Sequence, residues 1–182
     1  MANKTKLARQ FIEAIPHARA LGMELTEIGE GRAVIRMPYD EKLIGDPDTG
    51  VIHGGAVSAL MDTCCGAAVM SHRSAPGGTA TIDLRIDYMR AATPGQAVVV
   101  TAVCHHITRN VAFVRATATD DDTDRPVATA TGAFTVEKGF LTRKRPRTHA
   151  GGQAASRCGA ECAGSWGALH PLSRHRVRPA RR

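Results

Sequence analysis

The apolar positions of the chain follow two periods, and the change of period divides it into elements. Val57, Leu60, Met61, Cys64 and Ala68 recur at the three- and four-residue spacing of a helix, within a segment of otherwise small residues. Over residues 79–89 the period becomes two. Ala80, Ile82, Leu84, Ile86 and Tyr88 share one face and Thr79, Thr81, Asp83, Arg85 and Asp87 the other, the pattern of a strand with one buried face. Residues 96–107, 111–119 and 126–136 continue as extended segments. The links Thr108-Arg109-Asn110 and Asp120-Asp121-Asp122-Thr123-Asp124 are short enough to predict an antiparallel meander. Upstream, residues 23–28 and 32–37 alternate around Gly29-Glu30-Gly31, a hairpin signal. Residues 4–14 carry Leu7, Phe11 and Ala14 at helical spacing, a short helix interrupted near Pro16. The intervening loop, 38–51, is long and rich in Gly, Pro and Asp, as functional loops of compact domains often are.

The order of helix, two strands, long helix and four more strands predicts an α+β fold. An antiparallel sheet of about six strands wraps around one long central helix. With 182 residues the chain has room for one such core, placed at 1–137. The formal charge of +7 sits outside it. Before Glu137 there are 13 Lys and Arg against 15 Asp and Glu; from Glu137 onward the counts are 11 and 2. Residues 138–182 mix Arg, Gly, Pro, Ser and His, hold the only Trp (Trp166) and show neither period, so they are expected to be a disordered basic tail. Aromatics interleaved with the basic residues are missing, so nucleic acid is not the expected partner.

No run of eighteen apolar residues and no apolar signal segment occur, which predicts a soluble, cytoplasmic protein without membrane contact. Five cysteines, two of them the neighbours Cys64 and Cys65 on the helix, suit reduced thiols. Cys158 and Cys162, near His170 and His175, have a zinc-like spacing. Their segment lacks the apolar residues needed to fold around a metal, so none is expected.

Candidate chemistry gathers on the long helix. His53-Gly54-Gly55 opens it with backbone N–H groups that no side chain obstructs, at the positive end of the helix dipole, where a developing oxyanion would be stabilised. Asp62 is the only acid in the apolar stretch, and an ionised group there is costly unless it is paired, solvated or used. Gly54 and Asp62 are eight residues apart, about 12 Å of helical rise, so one carbonyl cannot touch both. If Gly54 polarises a carbonyl that Asp62 attacks or hydrates, the two come from different chains of a two-fold dimer. Nucleophilic use of Cys64 or Cys65 is disfavoured because the nearby carboxylate raises a thiol's pKa. His105-His106 reads as an exposed pair at a strand end.

The runs Gly50-Val51-Ile52-His53-Gly54-Gly55, Leu60-Met61-Asp62 and Thr81-Ile82-Asp83-Leu84-Arg85-Ile86-Asp87-Tyr88-Met89-Arg90 together resemble the PaaI-type acyl-CoA thioesterases of the hotdog fold, over about residues 11–136. The resemblance implies hydrolysis of acyl-CoA to free acid and CoA without a cofactor, in a homodimer or homotetramer with sites shared between subunits. It assigns Asp62 as nucleophile or general base, Gly54 as the N–H that polarises the carbonyl, and His53 as a histidine shaping the site beside the thioester. Thr81 matches a position whose hydroxyl helps to place water, and Gly55 adjoins the substrate. Many relatives carry Asn or Gln six or seven residues before the histidine, where this chain has Asp46 and Pro47. Either Asp46 takes the orienting role or the site works with weaker assistance. Arg90 and Arg109 are candidates for the CoA phosphates. The competing readings are an acyl-CoA-binding sensor with a basic tail, against which Asp62 argues, and a hydratase, whose His/Asp pair Asp46 and His53 do not reproduce.

Overall fold

The computed structural model describes residues 14–74 and 77–137, so the expected helix over 4–14, except for Ala14, and the tail with Cys158 and Cys162 lie outside the described residues. The described chain runs α1 (Pro16–Ala20), β1 (Glu24–Gly29), β2 (Arg32–Met37), a 3-10 turn (Glu41–Leu43), β3 (Ile44–Asp46), β4 (Val51–Ile52), α2 (Gly54–Ser71), β5 (Thr81–Tyr88), β6 (Val98–Ile107), β7 (Val111–Thr119) and β8 (Ala128–Thr135). Six strands form one antiparallel sheet in the order β1-β2-β6-β7-β8-β5, and β3 and β4 form a separate two-stranded ribbon. The predicted hairpin closes with Glu30 and Gly31 both at positive φ, 50° and 83°, the geometry that matches the twist of paired strands. Ala14 is helical, the break expected near Pro16 falls at Ile15, and Pro16 opens α1. Its fixed φ and missing N–H are tolerated at the first helical turn, where that N–H would have no partner.

Helix α2 fills the sheet. Leu60, Met61, Cys64, Ala68 and Val69 are fully buried against Ile35, Val100 and Val114 from the sheet's inner face. Small side chains let the helix backbone approach closely, and the Cys64 thiol donates to the backbone carbonyls of Ala33 and Val100, at 3.4 and 3.3 Å. Burying a side chain such as Leu60 contributes about 1.5–3 kcal/mol, so this stripe is what commits the chain to the wrapped-sheet solution.

The meander holds for β6, β7 and β8 only. Strand β5 pairs with β8 at the sheet's edge, and β6 crosses back to pair with β2. As an edge strand with a single neighbour, β5 does not bury the face that its alternation predicts. Leu84 and Ile86 are half-buried, while Ile82 (56%) and Tyr88 (48%) are exposed, as is Met89 (62%) just beyond the strand.

The link from β5 to β6 is tied down by an ion pair. Asp120, at the end of β7, is the one buried charged residue among those described. It accepts from Arg90 at 2.6 and 2.7 Å, from the Thr93 N–H and hydroxyl at 3.0 and 2.9 Å, and from the Asp122 N–H at 3.1 Å. The Arg90 guanidinium, more than burial opposes it, holds the Asp120 carboxyl far below the usual carboxylate range. Removing that charge while Arg90 stays partly enclosed should be costly. Asp120→Asn is expected to lose about 3 kcal/mol at neutral pH in urea melts. Since folding lowers this pKa, the contribution is complete above the ordinary aspartate value of about 3.9 and is lost as pH falls below it, so the gap between wild type and variant should narrow on acidification.

Candidate active site

The polar face of α2 consists of Gly54, Ser58 and Asp62, spaced by four residues and therefore stacked along one side of the helix. Strand β5 runs past this face in the opposite direction and touches both ends of it. At one end the Thr81 hydroxyl donates to Asp62 Oδ1 at 2.6 Å. At the other the Tyr88 hydroxyl donates to the Gly54 carbonyl at 2.6 Å and lies 2.7 Å from Ser58 Oγ.

The helix start is built by close approach. His53 is the N-cap, in extended conformation (φ −60°, ψ 131°), and its Nδ1 accepts from the Gly55 N–H at 2.9 Å. Gly55 is thereby capped from within the chain, whereas the Gly54 N–H finds no acceptor among the described residues. His53 is seated against Gly45, where any added Cβ would lie 2.7 Å from the His53 Cα. The β3–β4 ribbon, not recognised as strand in the sequence, presses these two residues together, with Ile44 paired to Ile52 and the His53 N–H donating to the Leu43 carbonyl at 2.8 Å. Beside the helix start lies a cleft of about 310 Å³ lined by Gly54, Val57, Tyr88, Met89, Ala92 and Val127.

Other expected contacts are engaged elsewhere. Asp46 folds its own turn: its Oδ1 accepts from the Asp48 N–H at 3.1 Å and its Oδ2 from the Thr49 hydroxyl at 2.6 Å, and the latter bond is the main cause of its lowered pKa. Arg90 lines the cleft, yet its five N–H groups are matched by five bonds, to Asp120, to the Ala91 carbonyl and to the Arg125 carbonyl, leaving none for a phosphate in this arrangement. Arg109 is exposed in the β6–β7 turn, at the end of the sheet where β5 begins, and has no ion-pair partner among the described residues. Burial pushes the Cys64 thiol up to about 12 and raises that of Cys65 as well, which keeps both protonated. Ser58 and Tyr88 escaped the sequence reading. The four-residue spacing of Ser58 between Gly54 and Asp62 was the available signal.

Among the described residues no helix is long and apolar enough to cross a membrane, and no group of three or more His, Cys, Asp or Glu is placed to hold a metal ion. Residues 49–127 match the sequence profile of the Thioesterase superfamily. An esterase-named protein of Halobacterium salinarum is 40% identical over 75 residues, 40% of this chain and 50% of that one, so the chain spans half the length of that relative. The human protein named acyl-coenzyme A thioesterase 13 is 28% identical over 134 residues, 70% of this chain and 93% of that one. Among solved structures, a Pseudomonas aeruginosa protein is 40% identical with a TM-score of 0.65, over 72% of this chain and 97% of that one. A point mutant of the phenylacetic acid degradation protein PaaI from Thermus thermophilus is 28% identical with a TM-score of 0.58, over 66% and 97%.

The fit of Gly45 against His53 is directly testable. The clash that an added methyl would make is with backbone, which cannot rotate away. Gly45→Ala is expected to lower stability by about 1–3 kcal/mol in thermal or urea melts, as overpacking does.

Proposed function

Because the chain belongs to the thioesterase superfamily, on a hotdog fold of the PaaI type, we propose that it hydrolyses acyl-CoA thioesters to the free acid and CoA. The observation that carries this reading is the pair of poles on one helix face: an N–H at Gly54 without an acceptor among the described residues, and a carboxylate at Asp62 oriented by the Thr81 hydroxyl. A thioester carbonyl seated on the Gly54 N–H would have its developing negative charge stabilised there. The Asp62 carboxylate then either attacks the carbonyl carbon, with water cleaving the resulting anhydride, or takes a proton from the water that attacks. In both routes the C–S bond breaks and the CoA sulfur leaves with a proton. This chemistry calls on the chain's own groups and no cofactor.

The two poles are about 12 Å apart along one helix, too far to serve one carbonyl. The exposed edge of β5 offers a solution. A second copy paired antiparallel to β5 about its midpoint, between Leu84 and Arg85, would set Thr81 opposite the partner's Tyr88. Since Thr81 holds Asp62 and Tyr88 holds Gly54, the same pairing carries Asp62 to the partner's Gly54. It would also cover Ile82, Tyr88 and Met89 and satisfy the edge's free backbone groups. The proposed working unit is therefore a homodimer with two shared sites, or a homotetramer made of two such dimers.

The poles can be removed separately. Asp62→Asn is expected to abolish most turnover in a thiol-release assay over aryl- and alkyl-CoA thioesters, with folding retained. Gly54→Pro removes the N–H and sets the ring Cδ in its place: proline is tolerated at the first helical position, His53 is already extended, and an added Cβ would come no closer than 3.5 Å to Tyr88. Its rate is expected to fall about 100- to 1000-fold. Mixing the two inactive variants after subunit exchange should restore about a quarter of the wild-type rate, because each mixed dimer regains one intact site. Failure of wild-type turnover across the panel would overturn the hydrolase reading, and mixing without recovery would overturn the shared site.

A further inference from the structure

We propose that Tyr88 is a positioning residue that fixes His53 as an Nε2–H donor beside the Gly54 N–H, acting across a single peptide group. The chain of bonds is continuous. Ser58 Oγ lies 2.7 Å from the Tyr88 hydroxyl, and that hydroxyl donates to the Gly54 carbonyl at 2.6 Å. The Gly54 carbonyl and the Gly55 N–H belong to one peptide plane. On its far side the Gly55 N–H donates to His53 Nδ1 at 2.9 Å. Each bond polarises the next: a proton donated to the carbonyl makes the N–H of the same amide a stronger donor.

A nitrogen that accepts a hydrogen bond carries no proton, so the ring proton of His53 resides on Nε2. Three surroundings hold the residue: the Gly55 N–H at Nδ1, Gly45, where even a Cβ would meet His53 Cα, Cβ and Cδ2 within 3.1 Å, and the His53 N–H anchored on the Leu43 carbonyl. The residue is exposed, so its Nε2–H is open to a ligand. In the thioesterase reading, on which this inference rests, the helix start thus offers two donors in sequence, the Gly54 N–H and the His53 ring. The histidine serves there as a fixed electrophilic contact and takes no part as a base. Tyr88 acts on the second of them, because its hydroxyl bears on the Gly54–Gly55 peptide, whose N–H holds His53 Nδ1.

The test has one readout that needs no substrate. In the full-length protein, long-range ¹H–¹⁵N spectra of His53 should show a single Nε2–H tautomer. Tyr88→Phe keeps the ring that walls the cleft and removes only the hydroxyl. It is expected to give averaged ring shifts for His53, and in the thiol-release assay a fall in kcat of about tenfold with KM within about twofold. Ser58→Ala, which leaves the tyrosine in place but removes its neighbour and that neighbour's own 3.2 Å bond to the Gly54 carbonyl, is expected to move both readouts in the same direction by less, and it decides the matter if Tyr88→Phe does not fold. A mixed tautomer in the wild type, an unchanged His53 spectrum in the folded Tyr88→Phe variant, or an unchanged kcat would each overturn the proposal. Absence of thioester turnover by the wild type would instead overturn the hydrolase reading, while the spectra still decide whether Tyr88 sets the tautomer.

Discussion

The burial of α2 inside the sheet is the constraint from which the candidate site follows. A helix surrounded by strands must be apolar on most of its circumference, and here the face with Gly54, Ser58 and Asp62 carries the one charge, while Thr63 and Ser71 return their hydroxyls to the helix's own carbonyls. That face cannot turn toward β2, β6 or β7 without placing a carboxylate among Ile35, Val100 and Val114, at a cost of several kcal/mol. It therefore emerges where the sheet stops, beside the edge strand β5. The same energetic preference that packs Leu60 and Met61 inward sets the azimuth of Asp62 and of the helix start. Hydroxyls on β5 then fix the angle that remains, one at each end.

Strand β5 needs support of its own to act as this frame, since an edge strand is held by one neighbour. The Arg90–Asp120 pair supplies it. Arg90 lies two residues beyond Tyr88, and its bonds to Asp120 and to the Arg125 carbonyl pin the end of β5 to the β7–β8 turn. An ion pair enclosed to this degree is a poor source of net stability compared with apolar packing, but its geometry is demanding, and breaking it leaves a buried charge. Its value here is positional: it fixes where Tyr88 can stand relative to Gly54.

How much of this was legible in the sequence depends on the range of the interaction. Periods of 3.6 and two reported local burial, and they located α2, the first hairpin and the extents of β6, β7 and β8. Asp62 stood out because a lone carboxylate contradicts the local pattern. Neighbour relations are different. The alternation of 79–89 describes which residues share a face, not whether a second strand covers them, so the exposure of Ile82 and Tyr88 and the pairing of β5 with β8 had no local signature. Asp46 and Arg90 illustrate the same limit for side chains. Each belongs to a residue type suited to a ligand, and each is instead consumed by partners, the first by its own turn and the second by Asp120, thirty residues away. Gly45 could be read only as a loop glycine until His53 was seen against it.

The exposed edge and the separation of the two poles are one geometrical problem. A strand with Ile82 and Tyr88 in water and a row of unpaired backbone groups invites another strand, and proteins that work as monomers usually blunt such an edge with a lysine, a proline or a bulge that turns it away. Strand β5 has a register shift near its start, between Thr81 and Asp83, but neither lysine nor proline within its length. Retaining so open an edge on the strand that carries both hydroxyls of the site makes sense if the edge is covered in the working protein. A two-fold axis through the middle of β5 is the one symmetric arrangement that covers it with itself while exchanging its ends. In the proposed dimer the ends of β5 hold the two poles, so association and assembly of the site would be the same event: a monomer would carry the parts of the site, and only the pair would bring them within reach of one carbonyl.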